Sequence, residues 1–339
     1  MTVPFVSWWR SRMRKRKPAY TIGCYYFPGW STPGGGPNPA DPWALLRAYP
    51  DRVPLSGAYD ETAQGVVDHQ LQQMSQHGIG FVAVCWFWDG NRPHLSHWID
   101  RYLASTVADK PKFCILFANS TFEVPKNAAD WRSIYRLWME RYTSHPKYFR
   151  IDDRPVAFVF DVQGFIARLG GVSGAREAVS MARAEGGFYF VGTDYATVNR
   201  TADVNNAGFD AMSQYSCVLD FNGDVYRERP ELGYGHLVAA QESFMSYASA
   251  NFPRDVLVPI AAGWHDIPWN ASPKLKAIPT DAQWRDMLLR SRAYMDAMPG
   301  RTRRIGMIYA WNEFGEGGWI EPTPAIGFTR LRAVAESFN

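Results

Sequence analysis

The run Ile305-Gly306-Met307-Ile308-Tyr309-Ala310 leads without a break into Trp311-Asn312-Glu313-Phe314-Gly315-Glu316-Gly317-Gly318-Trp319-Ile320-Glu321-Pro322. The first six residues are apolar in near succession, without the alternation of a strand that has one wet face. They read as a strand covered on both faces. The twelve that follow set Glu313 and Glu316 three residues apart among indoles and glycines. A buried strand that ends in such a cluster suits a sheet whose chemistry collects at the C-terminal strand ends.

Seven more runs of the same kind precede it: Thr21–Phe27, Gly80–Phe87, Lys112–Ala118, Pro155–Phe160, Gly187–Gly192, Asp210–Tyr215 and Val256–Ala261. Between them lie stretches with helical spacing, among them Glu61–His77, Asp130–Thr143, Gly174–Glu185, Gly235–Asn251 and Asp281–Ala297. Asp281 is the expected N-cap of the last. Eight buried strands, each followed by a helical or irregular crossover, predict a (β/α)8 barrel. The competing architecture, an open doubly wound sheet, usually announces a phosphate loop, and neither GxGxxG nor GxxxxGK[ST] occurs. No internal repeat or interdomain linker breaks the pattern. We therefore expect one catalytic domain over residues 20–339, behind a basic arm of residues 1–19.

That arm holds Arg10, Arg12, Arg14, Lys15, Arg16 and Lys17 without an acid, so the +3 of the whole chain less these six leaves the remainder at −3. A mildly acidic body argues against nucleic acid as a partner. The Arg10–Lys17 run reads as a solvated tail, with weak contact to an anionic membrane surface as the alternative. The apolar residues near the start are few and precede the charges, which is the wrong order for a signal peptide, and no run approaches a membrane span. Four cysteines without CxxC spacing, Cys24, Cys85 and Cys114 within strand-like runs and Cys217 outside them, fit a reduced, cytoplasmic setting. Aromatic residues make up 15% of the chain, with 14 Trp, 17 Tyr and 20 Phe, enough to supply sugar-stacking faces as well as a core.

Polar and aromatic groups recur at the predicted strand ends. They are Tyr26 and Trp30 after the first, Trp86, Trp88 and Asp89 after the second, and Asn119 after the third. Asp161 follows the fourth, Asp194 and Tyr195 the fifth, Gln214 and Tyr215 the sixth, and Trp264, His265 and Asp266 the seventh. Exposed tryptophans at four of the ends would mark a binding surface. Glycoside chemistry needs two carboxyl groups, one to protonate the leaving oxygen and one as nucleophile or base. Glu313 and Glu316 are the expected pair, with Asp89, Asp161, Asp194 and Asp266 as reserves. Candidate sugar contacts are Tyr26, Trp30, Tyr59, Asp60, Trp86, Trp88, Asn119, Tyr215, Trp264, Asp266, Trp311, Asn312 and Trp319. His94 and His97, three apart on a predicted helix, are expected as an exposed pair and not as metal ligands. With no His-x-His, GxSxG or Asp-x-Asp in the chain, we expect no metal and no cofactor.

Three segments together resemble the glycoside hydrolase family 99-like proteins: Cys24 to Trp30, Gly78-Ile79-Gly80-Phe81 through Trp88-Asp89-Gly90, and Tyr309 to Gly317. That group includes endo-α-mannosidases and bacterial relatives encoded with lipopolysaccharide-biosynthesis genes. The resemblance implies a (β/α)8 barrel and retaining, metal-independent hydrolysis of an α-linked glycan. It casts Glu313 as base on the sugar 2-hydroxyl, giving a 1,2-anhydro intermediate, and Glu316 as general acid and then base. It places Tyr26, and Trp86 or Trp88, beside the reacting sugar. The chain departs at Ala118-Asn119-Ser120, where many bacterial relatives carry Ala-Asn-Glu. The alternatives are a glycosyltransferase or transglycosylase of surface-polysaccharide assembly, and a catalytically silent glycan-binding barrel. Sequence leaves the sugar, the linkage and the oligomeric state open.

Overall fold

The computed structural model describes residues 19–193, 201–216, 233–271 and 275–338. The basic arm through Lys17, Asp194, Tyr195 and Cys217 lie outside the described residues. Parallel strands run in the order Val258–Ala261, Ile305–Tyr309, Thr21–Tyr26, Ile79–Trp88, Lys112–Phe117, Arg154–Val159, Tyr189–Thr193, Ala211–Ser213 and Asp255–Val256. The two terminal members of that order are halves of one segment, parted only by Leu257, whose N–H bonds to the Met212 carbonyl at 2.8 Å. The sheet therefore closes on itself as eight strands, the predicted (β/α)8 barrel, each predicted strand matching within two residues at either end, the sixth shortened to Ala211–Ser213.

Helices Gln64–Gln76, Ala128–Trp138, Gly171–Gly186, Tyr234–Asn251 and Asp281–Ala297 cover the outside where helical spacing was read. Others, His97–Ala104, Val162–Arg168, Thr201–Asn206, Pro299–Thr302 and Thr329–Phe338, were not delimited from sequence; they are short. The cap of the Asp281–Ala297 helix is Thr280, one residue earlier than expected. Thr280 is extended, and its side chain and that of Gln283 close a reciprocal capping box, which leaves Asp281 in the first turn. The histidine pair also differs from expectation. His97 opens a helix, His94 pairs with Phe87 in a short antiparallel bridge, and both are half-buried. Among the described residues no helix is long and apolar enough to cross a membrane.

Strand alternation sets what faces the barrel interior. Tyr25 meets Phe158 on the fourth strand at 5.9 Å between ring centroids and Tyr215 beyond the sixth at 4.8 Å, contacts that run across the barrel. Its neighbour Tyr26 points the other way, onto Trp98 of the helical layer at 4.4 Å. Cys24, Cys85 and Cys114 are buried and unpaired. At the opposite end of the barrel, Asp210 accepts hydrogen bonds from Arg154, Arg183 and the Phe190 N–H, all at 2.9–3.0 Å. Replacing Asp210 by Asn should cost about 2–4 kcal/mol, because two half-buried guanidinium groups lose their counter-charge. Urea denaturation checks this, and a loss under about 0.5 kcal/mol would contradict it.

Candidate active site

Beyond the eighth strand the chain forms a tight hairpin. Asn312–Glu313 pairs antiparallel with Gly318–Trp319, and the N–H groups of Glu316 and Gly317 bond back to the Glu313 carbonyl at 3.2 and 3.0 Å. The glycines are there because neighbours press on the backbone. A Cβ at Gly315 would lie 2.0 Å from the Trp269 ring, and one at Gly318 would lie 2.3 Å from the Tyr309 ring. At Gly317, with φ +83°, it would lie 2.3 Å from the His265 nitrogen. The His265 N–H in turn donates to the Glu316 carbonyl at 2.7 Å.

This hairpin brings the two predicted acids together at the barrel mouth. Glu313 is only 4% exposed. Its Oε1 accepts a hydrogen bond from the Tyr215 hydroxyl at 2.7 Å, while Oε2 has no partner among the described residues. Burial, and secondly the charge of Glu316, hold the Glu313 carboxyl well above its usual range. Glu316 is half-buried on the turn and accepts from the Tyr309 hydroxyl. Tyr309 packs between Tyr215, at 4.9 Å, and Trp264, at 6.0 Å, whose Nε1 is also unpartnered. Cys85 Sγ lies 3.6 Å from the Tyr215 hydroxyl. The mouth thus presents two coupled acids, two phenols and unmet polar atoms that a hydroxyl-rich ligand could satisfy.

Several expected contacts sit elsewhere. Tyr26, Trp86 and Trp88 occupy the layer between sheet and helices. The Tyr26 hydroxyl donates to Glu61 at 2.7 Å, Trp86 packs edge-on to Trp138 at 5.5 Å, and Trp88 Nε1 donates to Asp130 at 2.8 Å. The anticipated exposed indoles are buried instead, Trp30, Trp86 and Trp311 at 1% or less and Trp88 and Trp264 at 6%. Trp30 stacks on Trp43 at 4.3 Å and donates its indole N–H to the Asn312 carbonyl at 3.1 Å. Trp311 is tied by its backbone N–H to the Tyr25 carbonyl at 2.8 Å. Trp319 lies between two guanidinium groups, Arg52 at 5.4 Å and Arg330 at 5.0 Å.

Two asparagines from the expected list act as latches between adjacent strand ends. Asn119 exchanges hydrogen bonds with the backbone of Asp161 at 2.8 and 2.7 Å. Asn312 does the same with Phe27, at 2.9 Å both ways. The reserve acids are engaged locally. Asp89 accepts from the N–H groups of Asn91 and Arg92 in its own turn, and Asp161 caps a helix at Gly164. Asp60 is exposed and bonds the Thr62 N–H. Asp266 is half-buried, with one oxygen on Asn270 and the other unpartnered.

Sequence reading passed over Tyr25 and Tyr309, which alternation from Gly23 and Met307 would have turned inward, and it passed over a second pair of acids. Glu61 is fully buried, and Glu321 is 1% exposed. The Tyr59 hydroxyl and Gln70 Nε2 donate to Glu321 at 2.8 and 3.3 Å, and burial pushes its pKa up to about 8. Burial also raises Glu61, against hydrogen bonds that lower it. His265, beside Arg52, is pushed down to about 4 by burial first and then by that guanidinium, so it is neutral at pH 7. Among the described residues no three His, Cys, Asp or Glu side chains are grouped to hold a metal ion.

A closed parallel barrel with its acids gathered beyond the last strand places the protein among (β/α)8 barrels. By the match of residues 48–334, it belongs to the family described as Glycosyltransferase WbsX. Its fold is similar to that of the GH99 endo-alpha-mannosidase from Bacteroides thetaiotaomicron, with TM-scores of 0.64 and 0.65 at 18% and 17% identity over 93% of this chain and 95–96% of that one. It is also similar to a structure described as a glycoside hydrolase-like protein, with TM-score 0.67 and 15% identity over 95% of each chain. In sequence it is 24% identical over 316 residues to the uncharacterized protein WxcX of Xanthomonas campestris pv. campestris, in two strains. The match takes in 85% of this chain but only 43% of WxcX, so the chain spans less than half the length of those relatives.

Two outcomes follow from this geometry. Gly317→Ala should destabilise the fold by about 2 kcal/mol or more, through both the left-handed backbone and the contact with His265; a thermal melt unchanged from wild type would contradict it. The folded chain holds the Glu321 proton more tightly than the unfolded chain does. That stabilisation is complete below about pH 4.5 and is lost as pH rises through about 8. Wild type should therefore melt at progressively lower temperature across that window, and Glu321→Gln should flatten the slope.

Proposed function

We propose that the chain is a glycan-processing enzyme that breaks an α-linked, mannoside-like glycosidic bond with retention, using Glu313 and Glu316 as its acid–base pair. One observation carries the reading. A buried carboxyl oxygen, Glu313 Oε2, lacks a partner among the described residues at the mouth of the barrel, next to a second carboxylate on the same turn. A sugar hydroxyl supplies the missing hydrogen bond. By donating to Glu313 it favours the ionised form there and moves the shared proton toward Glu316, which is where a general acid must hold it.

The chemistry then balances in two steps. Glu313 takes the proton of the 2-hydroxyl, O2 attacks C1, and Glu316 protonates the departing oxygen. Water then opens the resulting 1,2-anhydro sugar at C1, giving its proton to Glu316 while O2 recovers one from Glu313. Two inversions at C1 give net retention. Tyr215 and Tyr309 hold the two carboxyl groups at fixed positions throughout.

Transfer to a sugar acceptor is the second reading, favoured by the family's description as a glycosyltransferase. It needs only that an acceptor hydroxyl replace water in the second step. Incubating the protein with a panel of α-linked oligosaccharides in H2(18)O separates the two. Hydrolysis places the heavy oxygen at the new reducing end, and transfer does not. Glu316→Gln and Glu313→Gln should each lower turnover by about 10²–10⁴-fold with the fold intact. Wild-type rates in both variants would end the acid–base assignment. The pH profile should fall on the alkaline side, since the pair loses its proton there.

A further inference from the structure

Glu61 is a buried carboxylate that the proposed reaction does not use, yet it is bonded to the residue next to Glu313. Its Oε1 accepts from the Tyr26 hydroxyl at 2.7 Å and from Asn312 Nδ2 at 3.3 Å. Its Oε2 accepts from the Trp30 N–H at 2.9 Å, with His97 Nε2 at 3.4 Å. The orientation of the Asn312 amide is fixed independently, because its oxygen accepts the Phe27 N–H and its nitrogen donates to the Phe27 carbonyl. The face toward Glu61 is therefore a donor. The Trp30 N–H and Asn312 Nδ2 can only donate, and the Tyr26 hydroxyl, which also lies 2.9 Å from Gln70 Oε1, and the His97 ring can donate as well; these donors favour the anion against the burial that raises the carboxyl.

The neighbouring segment clamps both flanks of the hairpin. Glu61 holds Asn312 before it, while Tyr59 and Gln70 hold Glu321 after it. We infer that Glu61 is a positioning residue for the acid pair: through Asn312 it fixes the hairpin arm that carries Glu313, and its buried negative charge biases the pair toward keeping a proton. The inference rests on reading Glu313 and Glu316 as the reacting pair. The groups facing Glu61 are Tyr26 from the first strand, Tyr59 from its own loop, His97 from the following helix and Glu321 beyond the hairpin. Those facing Glu313 are Glu316, Tyr215, Cys85, Tyr309 and Glu61. Among the described residues no lysine or arginine side chain is hydrogen-bonded to either acid, and His97 Nε2, 3.4 Å from Glu61 Oε2, is the ionisable base set against Glu61. Glu61 acts on Glu313 in the same direction as burial and Glu316, as a smaller contributor.

Infrared difference titration of protonated carboxyl groups tests this without a substrate. In wild type, the band that disappears in Glu313→Gln, distinguished from the one that disappears in Glu321→Gln, marks the Glu313 proton. In Glu61→Gln that band should titrate with about tenfold weaker proton binding. In Glu61→Asp, which keeps the charge but withdraws it by one methylene, the weakening should be smaller. A Glu61→Gln band titrating with wild type, in a protein whose near-UV circular dichroism is native, overturns the inference. If Glu61→Gln loses that signal, Glu61→Asp decides instead: a titration coincident with wild type overturns it, and a weakened one supports it. The readout is a proton equilibrium, so it stands apart from the turnover assays on Glu313→Gln and Glu316→Gln, which test the acid–base reading.

Discussion

The backbone of Gly315, Gly317 and Gly318 rests directly on Trp269, His265 and Tyr309, and the rest of the barrel mouth takes its position from that contact. Side chains at those places would lift the hairpin by an ångström or more. The His265 N–H would then lose the Glu316 carbonyl, and Tyr309 would lose the Glu316 carboxylate. Because the eighth strand pairs with the first in register, the same hairpin lies where Asn312 can latch onto Phe27 and where Trp30 can reach the Asn312 carbonyl. Local backbone freedom at a few glycines thus sets a geometry that spans two strands and three loops.

Within this frame, hydrogen-bond donors decide which carboxyl group bears charge. Removing a carboxylate from water costs several kcal/mol, whereas each hydrogen bond to a charged group returns on the order of 1.5–3 kcal/mol. Glu61, with as many as four donors, is partly compensated, though burial still raises it. Glu313, with Tyr215 as its donor among the described residues and Glu316 beside it, is less so, and the balance there favours a proton. Both are glutamates with almost no exposed surface. They differ in how many N–H and O–H groups the fold aims at them.

That difference explains what was legible. All eight barrel strands were readable, because strands buried on both faces leave unbroken apolar runs such as Phe81 to Phe87. The same absence of alternation hid which side chain faces inward, so Tyr26, Trp86 and Trp88 were expected where Tyr25 and Cys85 stand. Glu313 and Glu316 were legible because three residues of spacing keep both on one turn. Glu61 was not, since its partners lie 31 to 251 residues away in sequence. The Asp281 cap was misplaced by one position because Thr280 and Gln283 form a reciprocal pair, and a single-residue rule does not weigh that.

The abundance of aromatic residues takes on a different meaning once their burial is known. Trp30, Trp43, Phe314 and Trp269 pack against one another behind the hairpin, and Trp319 is held between Arg52 and Arg330. Rings so enclosed cannot serve as open platforms for a sugar face. They exclude water from the back of the acids, which lowers the local dielectric and strengthens every charge interaction there. The polar atoms left without a partner among the described residues at the front are Glu313 Oε2, Trp264 Nε1 and Asp266 Oδ1. In this arrangement the indoles act on the carboxyl groups by excluding water from behind them, not by presenting open faces of their own.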